Sequence, residues 1–246
     1  MKKYFQAPWG FKDLIITGAS ITVLFVIAGY ILYLFGVYDK IEASKYKFLY
    51  TAVLFLVQWI IAILPLIVLT KIKYGFKFEL FGFKKVGIWR VLKLVASAYL
   101  IYIGISFIVS IITIFSDTKI PGYQMQESIL PFFGSGWIAL VSAGIVIVFI
   151  APFLEEIFFR GFLLRTFVDK IGIFFGSIVS AGIFATIHFQ WQSIIPIFIL
   201  GLIINMLVIK SKSIIPAIAF HILNNGIVFA IEILIEKQII SIEKII

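Results

Sequence analysis

Glu155 and Glu156 form the only adjacent carboxylate pair in the chain, and its two histidines, His188 and His221, also lie in apolar stretches of the C-terminal half. An ionisable side chain at membrane depth costs from about 3 to more than 10 kcal/mol by different measures, so each one inside a span is a functional-site hypothesis. Glu156 and Arg160 stand four apart, acid before base, on one helical face, and can neutralise each other. That reading makes them mainly structural. Glu155 is rotated by about 100° from this face and is left to point into the bundle interior. The stretch Phe184-Ala-Thr-Ile-His188 ends on a histidine that, taken alone, would more often be a packed residue than a reactive one. In His221-Ile-Leu-Asn224-Asn225, His221 and Asn225 share a face one turn apart, whereas Asn224 points elsewhere and reads as structural.

A carboxylate, two imidazoles and an amide in a desolvated setting suit activation of water for hydrolysis. In one version Glu155, His188 and His221 hold a zinc ion that keeps a water in its open position. In the other, no metal is needed: Glu155 and His188 polarise the water while His221 and Asn225 donate to the developing oxyanion. Spacing leaves both open. The helical His-Glu-x-x-His pair of soluble zinc proteases is absent and Asn is an unusual zinc ligand, which favours the metal-free version.

The elements that must position these groups follow from composition. Of the 246 residues, 62% are hydrophobic and 13% charged, against about half and a quarter in soluble globular chains. The fold class expected is all-α, a polytopic transmembrane bundle. Stretches of about 20 apolar residues fall near 11–36, 48–70, 88–115, 136–158, 172–189, 193–209 and 213–235, giving about seven spans within a range of six to eight. The first is too long for a signal-peptide core and no small-residue cleavage site follows it. Trp9, Trp89, Trp137 and Trp191 fall at stretch edges, where headgroups are expected, and only Trp59 lies inside a span. Without cysteine, disulfides, thiolate ligands and Cys nucleophiles are excluded.

The net charge of +9 would suggest nucleic acid in a soluble chain. Here topology accounts for it. With the N-terminus in the cytoplasm, 14 basic residues fall inside and six outside, Arg160 being left out of both counts, so the positive-inside rule favours this orientation. Residues 71–93 interleave cations with Phe76, Phe78, Phe81 and Phe83, a basic interfacial segment suited to a lipid bilayer and not to nucleic acid. At about 1.5 Å per residue, Glu155 comes out roughly 15 Å from Arg165 and His221 roughly 14 Å from Lys212, while His188 comes out roughly 27 Å from Lys170. On that count Glu155 and His221 can meet, and His188 lies deeper unless the loop after Lys170 uses up several residues before the fifth helix begins.

In order and spacing, Glu155-Glu156-x-x-x-Arg160-Gly161, Phe184-x-x-x-His188 and His221-x-x-x-Asn225 resemble the CPBP family, the CAAX prenyl-endopeptidase and bacteriocin-processing (Abi) intramembrane proteases. Ser213-Ile-Ile-Pro216 is similar to that family's lead-in to its last motif. The resemblance covers roughly 135–230. It implies a membrane endopeptidase with Glu155, His188, His221 and Asn225 as catalytic groups and Glu156 and Arg160 supporting them; with the N-terminus inside, the active site is expected to open to the cytoplasmic side. The organisation expected is N-terminal transmembrane helices over 1–134 and a CPBP-like catalytic core over 135–235, integrated in one membrane domain. The Ile, Lys and Phe bias points to a bacterial chain, whose substrate would be a membrane-associated peptide or protein handled in peptide maturation or bacteriocin self-immunity. Two other classes use the same charges, a non-catalytic scaffold or immunity partner and a small ion-coupled transporter. Transporters often carry repeated halves with broken helices, and neither half mirrors the other here.

Overall fold

In a computed structural model, residues 2–116 and 120–239 are described, and all regular structure among them is helical. The main helices are α1 (Phe11–Leu34), α2 (Lys47–Tyr74), α3 (Ile88–Ser116), α4 (Trp137–Ile171), α5 (Ile173–Thr186), α6 (Ile194–Ser211) and α7 (Ile215–Glu236). Six of them are long and apolar enough to cross a membrane, α6 counting together with the short turn before it. Their surfaces agree with this. Ile15, Val23, Val26 and Ile27 of α1 and Leu100, Ile103 and Phe107 of α3 are all exposed, a display of apolar area that only lipid can cover. The chain is an integral membrane protein.

The seventh expected stretch, 172–189, is the exception. Helix α5 has 14 residues, and at about 1.5 Å per residue it reaches about 21 Å, short of a bilayer core of about 30 Å. Gly172, at φ 83°, turns the chain into it, and a turn at Phe189, at φ 54°, ends it. By contrast α4, expected over 136–158, continues to Ile171. Arg160 lies beyond the expected end at 158, yet its side chain is fully buried and the helix runs through it. Wide π turns at Ile145–Ile150 and Glu156–Leu164 interrupt the regular α geometry. Such turns occur frequently at functional sites.

The chain divides into two compact units, Met1–Ile15 with Thr70–Glu127 and Glu155–Phe220, and Ile16–Leu69 with Ser128–Leu154 and His221–Ile246. In the first unit, Leu164, Val168, Ile204 and Leu207 build one cluster, and Phe159, Leu163, Phe184 and Ile197 build a second. A Cβ at Gly176 would fall 2.7 Å from the Val168 amide nitrogen, so only glycine lets α5 lie directly on the end of α4. Trp9, expected at headgroup level, is instead 1% exposed, with its ring stacked on Phe81 and tilted against Phe162. The other edge tryptophans, Trp89, Trp137 and Trp191, are exposed.

Hydrogen bonds mark two ends of this unit. At one, Arg165 Nη2 donates to Gln6 O, Ile214 N to Gly82 O and Ser213 Oγ to Lys84 O. Tyr4 is buried there beside Arg165, and burial pushes its phenol up to about 12 although the neighbouring cation opposes the shift. At the other end, Gln124 N donates to Gln192 O and Ile195 N to Gly122 O. Helix α5 with its flanking turns carries the chain between these ends despite its length. In the second unit, Leu130, Phe133, Ala139, Ala143 and Val146 form the core, with Phe229 packed against it.

Candidate active site

The first unit holds Glu155, Glu156, Arg160 and His188. Glu156 and Arg160 pair as the spacing requires, with Arg160 Nη1 donating to Glu156 Oε1 at 3.0 Å between fully buried side chains. The other two guanidinium nitrogens also donate. Nε–H donates to Asn205 Oδ1 at 3.1 Å and Nη2 to Gly201 O at 3.2 Å, both on α6. The guanidinium carbon lies 4.3 Å from the centroid of the Phe184 ring, a cation–π contact on its apolar side. Asn205 in turn donates to Ser177 O of α5 at 3.0 Å. One arginine thus ties α4, α5 and α6 together, and its charge also acts on Glu155.

Asn205 escaped the sequence reading. Its signal was an amide inside the apolar run Leu-Ile-Ile-Asn205-Met, without a spacing partner on its own helix.

The depth count for His188 is corrected by the packing. Phe184 meets Phe159 edge-on with centroids 5.0 Å apart. Because α4 and α5 run antiparallel here, four residues beyond Phe184 and four before Phe159 bring His188 and Glu155 to one level. Lys170 was the wrong marker, since α4 descends past Arg165 to Ile171 and the first half of α5 is spent climbing back, Gly176 lying against Val168. His188 is half-buried, its ring edge-on to Phe184 at 4.7 Å and its Nδ1 2.6 Å from Phe184 O. A carbonyl only accepts, so the neutral imidazole carries its proton on Nδ1 and turns Nε2 outward as an acceptor.

The second unit holds His221 and Asn225 on α7. His221 is buried, and Asn225 Nδ2 donates to Ile147 O at 3.1 Å, within the first wide turn of α4. One further N–H of that amide is left for another acceptor. Asn224 is buried and its Nδ2 lies 3.5 Å from Asn225 Oδ1, in keeping with a structural role. A Cβ at Gly226 would stand 3.5 Å from Val148 Cγ1, an ordinary van der Waals distance, so α7 packs against the wide turn there. Ser213 Oγ accepts from Ile215 N at 3.2 Å and caps the start of α7.

Among the described residues no three His, Cys, Asp or Glu side chains are gathered closely enough to hold a metal ion. In the zinc version the ligands would be Glu155, His188 and His221.

These features define a polytopic helical membrane protein that holds ionisable groups inside its spans. Residues 136–227 match the family model described as Type II CAAX prenyl endopeptidase Rce1-like, and the chain carries a domain of this CPBP family of intramembrane endopeptidases. The family is one of proteases. No curated protein and no solved structure matches the chain significantly.

Proposed function

We propose that the chain is an intramembrane endopeptidase that hydrolyses a peptide bond in a membrane-associated peptide or protein through water activated by Glu155 and His188. The observation that carries the reading is that the matched protease domain, 136–227, contains Glu155, Glu156, Arg160, His188, His221 and Asn225. The same match supports 135–235 as the catalytic core, and the apolar helices within 1–134 support the reading of that part as accompanying transmembrane helices.

In this mechanism Glu155 takes a proton from water as its oxygen attacks the scissile carbonyl, with His188 Nε2 orienting the water. His221 and Asn225 donate to the oxyanion. As the tetrahedral intermediate collapses the C–N bond breaks, and the proton held by Glu155 passes to the leaving amine. Glu156 and Arg160 hold the surrounding helices and take no proton. The N-terminus lies in the cytoplasm, supported by the 14-to-6 excess of basic residues, and the site opens to that side. The physiological role is peptide maturation or bacteriocin self-immunity.

The test is cleavage of membrane-associated peptides by the reconstituted protein. Wild type should cleave and Glu155→Gln should not, at equal expression and thermal stability. Equal turnover by the two would remove Glu155 from the mechanism, and activity lost to a chelator would overturn the metal-free assignment.

A further inference from the structure

Two sequence-distant basic stretches meet at one end of the first unit. Arg90 Nη2 donates to Lys210 O at 3.2 Å, Ser213 Oγ to Lys84 O at 2.7 Å and Ile214 N to Gly82 O at 3.1 Å. These bonds stitch residues 82–90 to 210–214, and so bring Lys84, Lys85, Arg90 and Lys93 to the same end as Lys210 and Lys212. All six are exposed. Among the described residues none of the six has a carboxylate within ion-pair distance, whereas Lys73 and Lys170 are paired with Asp13 and Asp169.

Helix dipoles explain part of this and leave the rest. Lys210 and the Arg90 guanidinium stand at the C-terminal carbonyls of α6, where cations are favoured. Arg90 and Lys93, however, occupy the first turns of α3, the positive end of that helix, where cations are disfavoured. Lys84 Nζ also stands 5.0 Å from the centroid of the Tyr4 ring, a contact that neutralises no charge, so the cluster calls for an outside anion. Trp89 is 75% exposed beside Arg90, at the mouth of an apolar spanning helix. An amphipathic ring in that setting sits at headgroup level, where phospholipid phosphates are the anions at hand.

We propose that this patch is a binding surface for anionic phospholipid headgroups, recruiting them around Trp89 from the surrounding bilayer. Such recruitment is electrostatic and short-ranged, so salt must weaken it. It is independent of peptide hydrolysis and needs no assigned orientation.

The full-length protein is reconstituted in phosphatidylcholine vesicles containing phosphatidylglycerol, with bromine placed on the acyl chains of one lipid or the other at equal mole fraction. The Trp89 signal is isolated by subtracting Trp89→Phe. At low salt, brominated phosphatidylglycerol should quench Trp89 about twofold more than brominated phosphatidylcholine. About 0.5 M salt should erase the difference, as should the Lys84→Gln/Lys85→Gln/Lys212→Gln variant. Trp191, exposed at the opposite end of the same unit, should show no preference when isolated in the same way. Equal quenching of Trp89 by both lipids at low salt would overturn the proposal. So would a preference that survives high salt, or an equal preference at Trp191.

Discussion

Arg160 Nε–H donates to Asn205 Oδ1 at 3.1 Å, so an amide on α6 holds the cation that Glu156 pairs with on α4. Both side chains are fully buried, and each group removed leaves its partners without solvent to replace it. Asn205→Ala should therefore destabilise by about 1–3 kcal/mol, and Arg160→Ala by about 3–5 kcal/mol, because the latter leaves Glu156 as an uncompensated charge. The double variant Glu156→Gln/Arg160→Met should cost less than the sum of its single changes. Unfolding in detergent measures these three variants and the single changes Glu156→Gln and Arg160→Met. An Asn205→Ala protein as stable as wild type would show that the amide contributes nothing to the clamp.

His188 separates holding from reacting. Its Nδ1 contact with Phe184 O leaves Nε2 as the outward nitrogen, so the two ring nitrogens have different tasks. His188→Asn can keep an amide donor near the Nδ1 position while losing Nε2. It should retain stability within about 1 kcal/mol and lose cleavage by about 10²-fold or more. Cleavage near the wild-type rate in this variant would take Nε2 out of the water-activating role.

What was legible in the sequence was whatever a helix expresses locally. The acid–base spacing of Glu156 and Arg160 is a property of one turn, and their ion pair is present at 3.0 Å even though that turn is π. Apolar length likewise located the spans. Properties set between helices were hidden. Asn205 has no periodic partner because the groups that satisfy it are on α4 and α5. The level of His188 depended on where α4 ended, and α4 continues thirteen residues past the expected end at 158. Trp9 reads as an interfacial residue until Phe81 and Phe162 are folded over it.

Orientation has its own test, since the helices alone are indifferent to it. Single cysteines can be introduced into this cysteine-free chain without removing any. With the N-terminus inside, an impermeant maleimide applied to intact cells should label Ser44→Cys and spare Lys77→Cys and Lys212→Cys, and permeabilised cells should label all three. The opposite pattern would reverse the orientation and place the proposed site on the other side.

Asn225 gives the most discriminating measurement of the mechanism. One of its amide hydrogens is used on Ile147 O, so the side chain is anchored and has a single N–H to offer a developing oxyanion. Loss of one such donor costs about 10²–10³ in rate with little change in substrate binding. Asn225→Ala should therefore lower kcat by that factor at nearly constant KM. Asn225→Asp should be as damaging, because a carboxylate would repel the oxyanion that the amide is proposed to stabilise. A metal-dependent mechanism makes a different forecast: activity of Asn225→Ala would be partly restored by excess zinc, and wild-type activity would fall with a chelator. Zinc rescue would overturn the metal-free mechanism, and unchanged kcat in Asn225→Ala would exclude this amide from direct catalysis and leave it the anchoring contact to α4.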